Sequence, residues 1–101
     1  MIGVIKLVQT ESFKAWIIGL RDRTAAQRIE VRLIRLQRGN PGDVKPVGEG
    51  ISEMRIDYGP GYRVYYVRRG PLIIVLLCGG DKSSQAADIG RAKLLAKDWK
   101  D

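Results

Sequence analysis

No histidine occurs anywhere in the 101 residues. A Cys/His zinc site, a Ser-His-Asp triad and a histidine general base are thereby excluded. One cysteine, Cys78, stands inside the apolar run LIIVLLC, where it reads as a small buried hydrophobe with no partner for an intrachain disulfide. No apolar run approaches the roughly 20 residues of a membrane span, so no membrane partner is expected. The opening MIGVIKLVQTES lacks the charged start and long apolar core of a signal peptide, and the expected location is the cytoplasm. Acidic residues are the minority, 11 against 18 Lys and Arg, which gives a net charge of +7. That balance either points to an anionic partner, such as nucleic acid, ribosome or acidic protein, or only keeps a small protein soluble.

What is present suffices for one packed core. Hydrophobic residues make up 45% of a chain of this length, which places 1–101 in a single small domain. No internal repeat, low-complexity tract or linker interrupts it. Residues 3–9 alternate and are rich in β-branched side chains, as a strand should be. Thr10 can cap a helix whose Phe13, Trp16, Ile17 and Leu20 form one apolar face. Thr24 with Gln27 reads as a capping box for a second helix, which carries Ile29, Leu33 and Leu36 inward and ends at Gly39, Asn40 and Pro41. Residues 40–50, NPGDVKPVGEG, have the Gly and Pro density of an irregular loop.

The stretch 51–82, ISEMRIDYGPGYRVYYVRRGPLIIVLLCGGDK, divides into three strands separated by Gly59-Pro60-Gly61 and Arg69-Gly70-Pro71. If Tyr58 faces Tyr62, then Asp57 pairs with Arg63 and Ile56 with Val64. One face then gathers Met54, Ile56, Tyr58, Tyr62, Val64 and Tyr66, and the other Glu53, Arg55, Asp57, Arg63 and Tyr65. The ionic face is expensive to bury and is expected to line a solvent-filled groove. The run 72–78 is apolar throughout, which suits an inner strand. The first strand is expected to flank it antiparallel, leaving the Arg55 strand at one edge. A third helix, capped by Ser83 or Ser84, runs to about residue 97 with Ile89, Ala92, Ala96 and Trp99 along its apolar stripe. On the second helix Arg28, Arg32, Arg35 and Arg38 fall along one side, either as a solvated face or as a flank for RNA or an acidic partner.

The order strand, helix, helix, three-stranded meander, helix, with GYRVYYV in the middle strand and GGDK closing the last, resembles the RelE/ParE superfamily of type II toxins. The blocks RGNPGDVKPVGEGISEMRIDYGPGYRVYY and LLCGGDKSSQAADIGRAK are most similar to its HigB-like branch, the addiction module killer proteins, and the similarity spans almost the whole chain. The resemblance implies an α+β fold, β-α-α-β-β-β-α, with a four-stranded antiparallel sheet packed on a helical hairpin. It implies a toxin that enters the ribosomal A site and cleaves mRNA there, restrained by a cognate helix-turn-helix antitoxin. The 2′-hydroxyl is the nucleophile, and no metal or other cofactor is required.

Carried onto this chain, Arg63 matches the arginine that contacts the scissile phosphate, and Lys82 the basic residue closing the last strand, for charge stabilisation or proton transfer. Arg55 would grip RNA backbone, Tyr65 would stack a base, and Lys45 matches a basic loop residue. Where relatives carry a tyrosine or histidine near the start of the last helix, this chain has Ala86 and Ala87. Asp88 is the nearest titratable residue for proton transfer, with Glu53 as its rival. The same fold also implies two other functions, a ParE-like protein that binds DNA gyrase without catalysis, or a degenerate toxin that binds RNA or antitoxin without cutting.

Overall fold

The computed structural model describes residues 4–100. Strand β1 (Lys6–Gln9) leads into helices α1 (Glu11–Gly19) and α2 (Arg23–Gln37). Strands β2 (Val44–Gly48), β3 (Ile51–Ile56), β4 (Tyr62–Arg68) and β5 (Ile73–Asp81) follow. A 3-10 turn (Lys82–Ser84) then passes into α3 (Gln85–Asp98). The α+β class and the helical hairpin against one sheet face are as the sequence indicates. The part of the expected first strand before residue 4 lies outside the described residues.

The sheet differs from expectation in one respect that has several consequences. It has five strands in the order β1-β5-β4-β3-β2. The supposed loop at 40–50 contains β2, which pairs antiparallel with β3 and covers the edge that the Arg55 strand was expected to present. Pro46 and a register irregularity between Pro46 and Gly48 hide this strand from a periodicity reading, and both suit an outer strand. Glu49, at φ 55, and Gly50, at φ 78, close the β2–β3 hairpin in the left-handed geometry that a tight two-residue turn requires. The extra strand reverses the chain once more, so β5 runs parallel to β1 rather than antiparallel.

The β3–β4 register is displaced by two residues from the expected one. Ile56 faces Tyr62, Arg55 faces Arg63 and Glu53 faces Tyr65. The expected Asp57–Arg63 pairing is replaced by two arginines directly opposite one another, because the loop is five residues long and Asp57 lies outside the ladder. A shift of two preserves the faces. Met54, Ile56, Val64 and Tyr66 therefore still pack with Phe13, Ile29, Leu33 and Leu36 beneath the helical hairpin. The opposite face is partly covered by α3, whose Ala92 and Ala96 lie against Tyr65, Val67, Val75 and Leu77.

Helix ends follow local chemistry. The Thr10 hydroxyl accepts from Phe13 N at 3.0 Å and donates to the Leu77 carbonyl at 2.5 Å, tying α1 to the inner strand β5. For α2 the cap is Asp22, which accepts from Ala25 N, and not Thr24, so the helix begins before the expected capping box. No described helix is long and apolar enough to cross a membrane.

The Gly79-Gly80 pair sits within β5, where successive residues point to opposite faces. A methyl group at Gly79 would enter the Trp16 ring, and one at Gly80 would enter the Asp88 carboxylate. The pair lets α1 and α3 approach the strand backbone from opposite sides. Gly79→Ala should therefore destabilise the fold by about 1–3 kcal/mol through overpacking, read as a lower urea midpoint, and an unchanged midpoint would contradict this packing.

Candidate functional site

The α3-side face is organised as two rows that cross β3, β4 and β5, the inner one starting in β2 and the outer one just before it. In the inner row Lys45 pairs with Glu53, Glu53 with Tyr65, and Tyr65 with Cys78. In the outer row Arg55 N donates to the Asp43 carbonyl at 3.0 Å, Arg55 faces Arg63, and Arg63 faces Gly80. Helix α3 covers Glu53, Tyr65 and Cys78 of the inner row and lies against Gly80 at the end of the outer one.

Glu53 is 0% exposed, an unusual position for a carboxylate. Its Oε2 accepts from the Tyr65 hydroxyl at 3.0 Å and from Gln85 Nε2 at 2.8 Å. Its Oε1 lies 3.9 Å from both Lys45 Nζ and Arg63 Nε. Glu53 Oε1 and Arg63 Nε are both buried and have no hydrogen-bond partner, so their mutual charge is what compensates their burial. Lys45 is half exposed and contributes less. The expectation that Glu53 faces open solvent is thus corrected.

Tyr65 is corrected as well. Its ring is completely buried under α3 and has no face to offer a base. Burial, with the Glu53 carboxylate beside it, raises its phenol pKa, so Tyr65 stays a neutral hydrogen-bond donor to Glu53. Burial also pushes the Cys78 thiol up to about 12, which makes it an inert core residue, as the sequence indicates.

The outer row opens into a cleft of about 450 Å³ lined by Asp43, Arg55, Ile56, Asp57, Gly61, Arg63 and Lys82. Arg63 enters it with its side chain only 12% exposed. Its Nη1 donates to the carbonyls of Gly61 at 2.9 Å and Tyr62 at 3.2 Å, which fixes the guanidinium fork. Gly61, at φ 80, allows the loop backbone to pass between Arg63 and the stem of Lys82. Arg55 is held on its other side by Asp43, with Nη2 at 2.7 Å and Nε at 3.2 Å from Oδ1. Hydrogen bonding from Arg55 holds the Asp43 carboxyl below its usual range despite some desolvation. Two like charges directly across a ladder repel, and here each is steadied by a carboxylate, Arg63 by Glu53 of β3 and Arg55 by Asp43 just before β2.

Lys82 stands at the lip of the cleft, just after β5. Asp81 accepts from Ser83 N at 2.8 Å, capping the turn that carries it. Asp88 lies over Gly80, the strand neighbour of Arg63, and accepts from Ser84 Oγ at 2.5 Å. Ala86 and Ala87 are exposed. The structure therefore gathers Arg55, Arg63 and Lys82 around one cleft, leaves Asp88 outside its lining but against Gly80, the strand neighbour of Arg63, and places Lys45 and Tyr65 in the inner row.

Gln85 was missed from the sequence. A glutamine at the start of a helix carries no sequence signal for a buried carboxylate 32 residues earlier. Removing Glu53 leaves a buried guanidinium without its counter-charge, so Glu53→Ala should cost about 3–5 kcal/mol by urea unfolding. A loss below about 1 kcal/mol, the level of an exposed pair, would show that the carboxylate does not anchor the site.

No family model matches the chain. An uncharacterised protein of Haemophilus influenzae is 48% identical over 94 residues, covering 93% of this chain and 95% of that one. Among solved structures, a mutant of the E. coli toxin RelE in the free state matches with a TM-score of 0.72. That match spans 91% of this chain and 96% of that chain, at 12% sequence identity, and is a likeness of fold. The chain belongs to the same family as the Haemophilus influenzae protein, and its fold is RelE-like.

Proposed function

We propose that the protein is the toxin of a type II toxin-antitoxin system, of the HigB-like kind, and that it cleaves mRNA in the ribosomal A site while a helix-turn-helix antitoxin restrains it. The observation that carries this reading is the facing pair Arg55 and Arg63 in one cleft with Lys82. Two guanidinium groups on facing residues of one cleft, permanently charged and held in place by their own partners, supply the positive charge and N–H donors that a phosphodiester needs.

In the proposed reaction Asp88 takes the proton from the ribose 2′-hydroxyl, and the oxygen attacks the adjacent phosphorus. The P–O5′ bond breaks, Lys82 protonates the departing 5′-oxygen, and a 2′,3′-cyclic phosphate remains. Arg63 stabilises the charge that grows on the non-bridging oxygens, and Arg55 holds the neighbouring backbone. Glu53 is closed off by Tyr65 and Gln85, so it positions Arg63 and takes no proton from RNA. Ser84 aims the Asp88 carboxylate.

A fixed donor aimed at developing charge contributes about 3–4 kcal/mol to the transition state. Arg63→Ala should therefore slow cleavage on programmed ribosomes by about 10²–10³-fold and relieve growth inhibition, at some cost in stability because Glu53 loses its counter-charge, and Lys82→Ala should relieve it with the fold retained. Cuts should fall within A-site codons. Full toxicity in both variants would overturn the site, and intact mRNA together with blocked gyrase supercoiling would favour the non-catalytic ParE-like alternative.

A further inference from the structure

The phosphate cleft does not end at Asp57. A second groove, of about 570 Å³, runs from there along α2 and is lined by Thr24, Gln27, Arg28, Val31, Arg32 and Arg35. Ile56 and Asp57 line both depressions, so the two meet at the end of β3. Together they carry six Arg and Lys side chains against two carboxylates, Asp43 and Asp57.

The arginines of α2 do not all do the same thing. Arg32 donates to the carbonyls of Arg55 at 2.6 Å, Pro41 at 3.1 Å and Asp43 at 3.2 Å, and so is committed to holding the chain around the end of β3. Arg28 lies 4.7 Å over the Tyr58 ring, whose hydroxyl is tied to Asp22 Oδ2 at 3.1 Å. This cation–π contact holds the Arg28 guanidinium at the groove wall. Arg35 is exposed two turns further along the same face.

We propose that this groove is a backbone track for single-stranded RNA, in which Arg28 and Arg35 engage phosphates of the strand that continues beyond the cleft. The inference rests on the proposed RNA substrate. Charge complementarity and continuity with the cleft favour RNA over an acidic protein segment, as does the junction itself. Asp57 would repel an acidic side chain, whereas it can accept a hydrogen bond from a ribose 2′-hydroxyl. Val31, 46% exposed, offers an apolar wall to the sugars.

The test is fluorescence anisotropy of a labelled 12-nucleotide single-stranded RNA with the full chain across a salt series. Lys82→Ala is present in every arm so that the strand stays intact. Adding Arg28→Ala and Arg35→Ala should weaken binding and reduce the slope of log affinity against log salt by about 1.4, two single-strand phosphate contacts. A dinucleotide, which reaches only the cleft, should bind both proteins alike. The DNA counterpart of the 12-mer should bind more weakly than RNA, a difference that Asp57→Ala removes. An unchanged salt slope overturns the track, and so does a poly-glutamate peptide that displaces the RNA in an Arg28- and Arg35-dependent manner without being weakened by Asp57. Because binding is read without ribosomes or cleavage, a failed A-site assay with an intact slope change would count against the nuclease and not against the track.

Discussion

The buried carboxylate of Glu53 is the constraint on which the site depends. It holds one negative charge beneath α3, satisfies one oxygen through Tyr65 and Gln85, and leaves the other facing Lys45 and Arg63. Such an ion is costly to desolvate. Its position makes sense as the means of keeping Arg63 in a narrow orientation while Arg55, directly across the ladder, is held by Asp43. The two arginines are thereby held against their own repulsion, Arg63 by Glu53 and Arg55 by Asp43 just before β2, and both line the cleft.

The covering of the sheet divides the labour between the rows. Helix α3 seals Glu53, Tyr65 and Cys78 from water, which strengthens the electrostatics that hold Arg63. It ends its approach at Gly80, the one residue type that lets Asp88 lie against the strand. On the other face, Gly79 accepts Trp16 in the same manner. Two adjacent glycines thus set the spacing of helices on both sides of β5.

Much of this was legible in the sequence because it depends on period alone. The alternation through 51–66 assigns the same faces in either register, so the apolar side and the ionic side were correctly separated even though the pairing moved by two residues. The Thr10 cap, the buried Cys78 and the inner position of the 72–78 run follow from equally local chemistry. What was not legible depended on contacts distant in the chain. The β2 strand is specified by its pairing with β3, and Pro46 with two nearby glycines masks it. With β2 missed, the direction of β1 relative to β5 was inverted. Burial of Glu53 and Tyr65 required knowing where α3 lands, which its shallow alanine stripe does not state.

The pairing of Glu53 with Arg63 can be observed directly by arginine-edited 15N NMR of the full chain, comparing the wild type with Glu53→Gln. The Arg63 Nε–Hε signal should exchange slowly with solvent, unlike that of the more exposed Arg55, and should shift and lose its protection in Glu53→Gln while the backbone amides of α2 keep their positions. An Arg63 signal that exchanges as fast as Arg55 in the wild type, or that is unmoved by the substitution, would contradict the carboxylate's role in fixing Arg63.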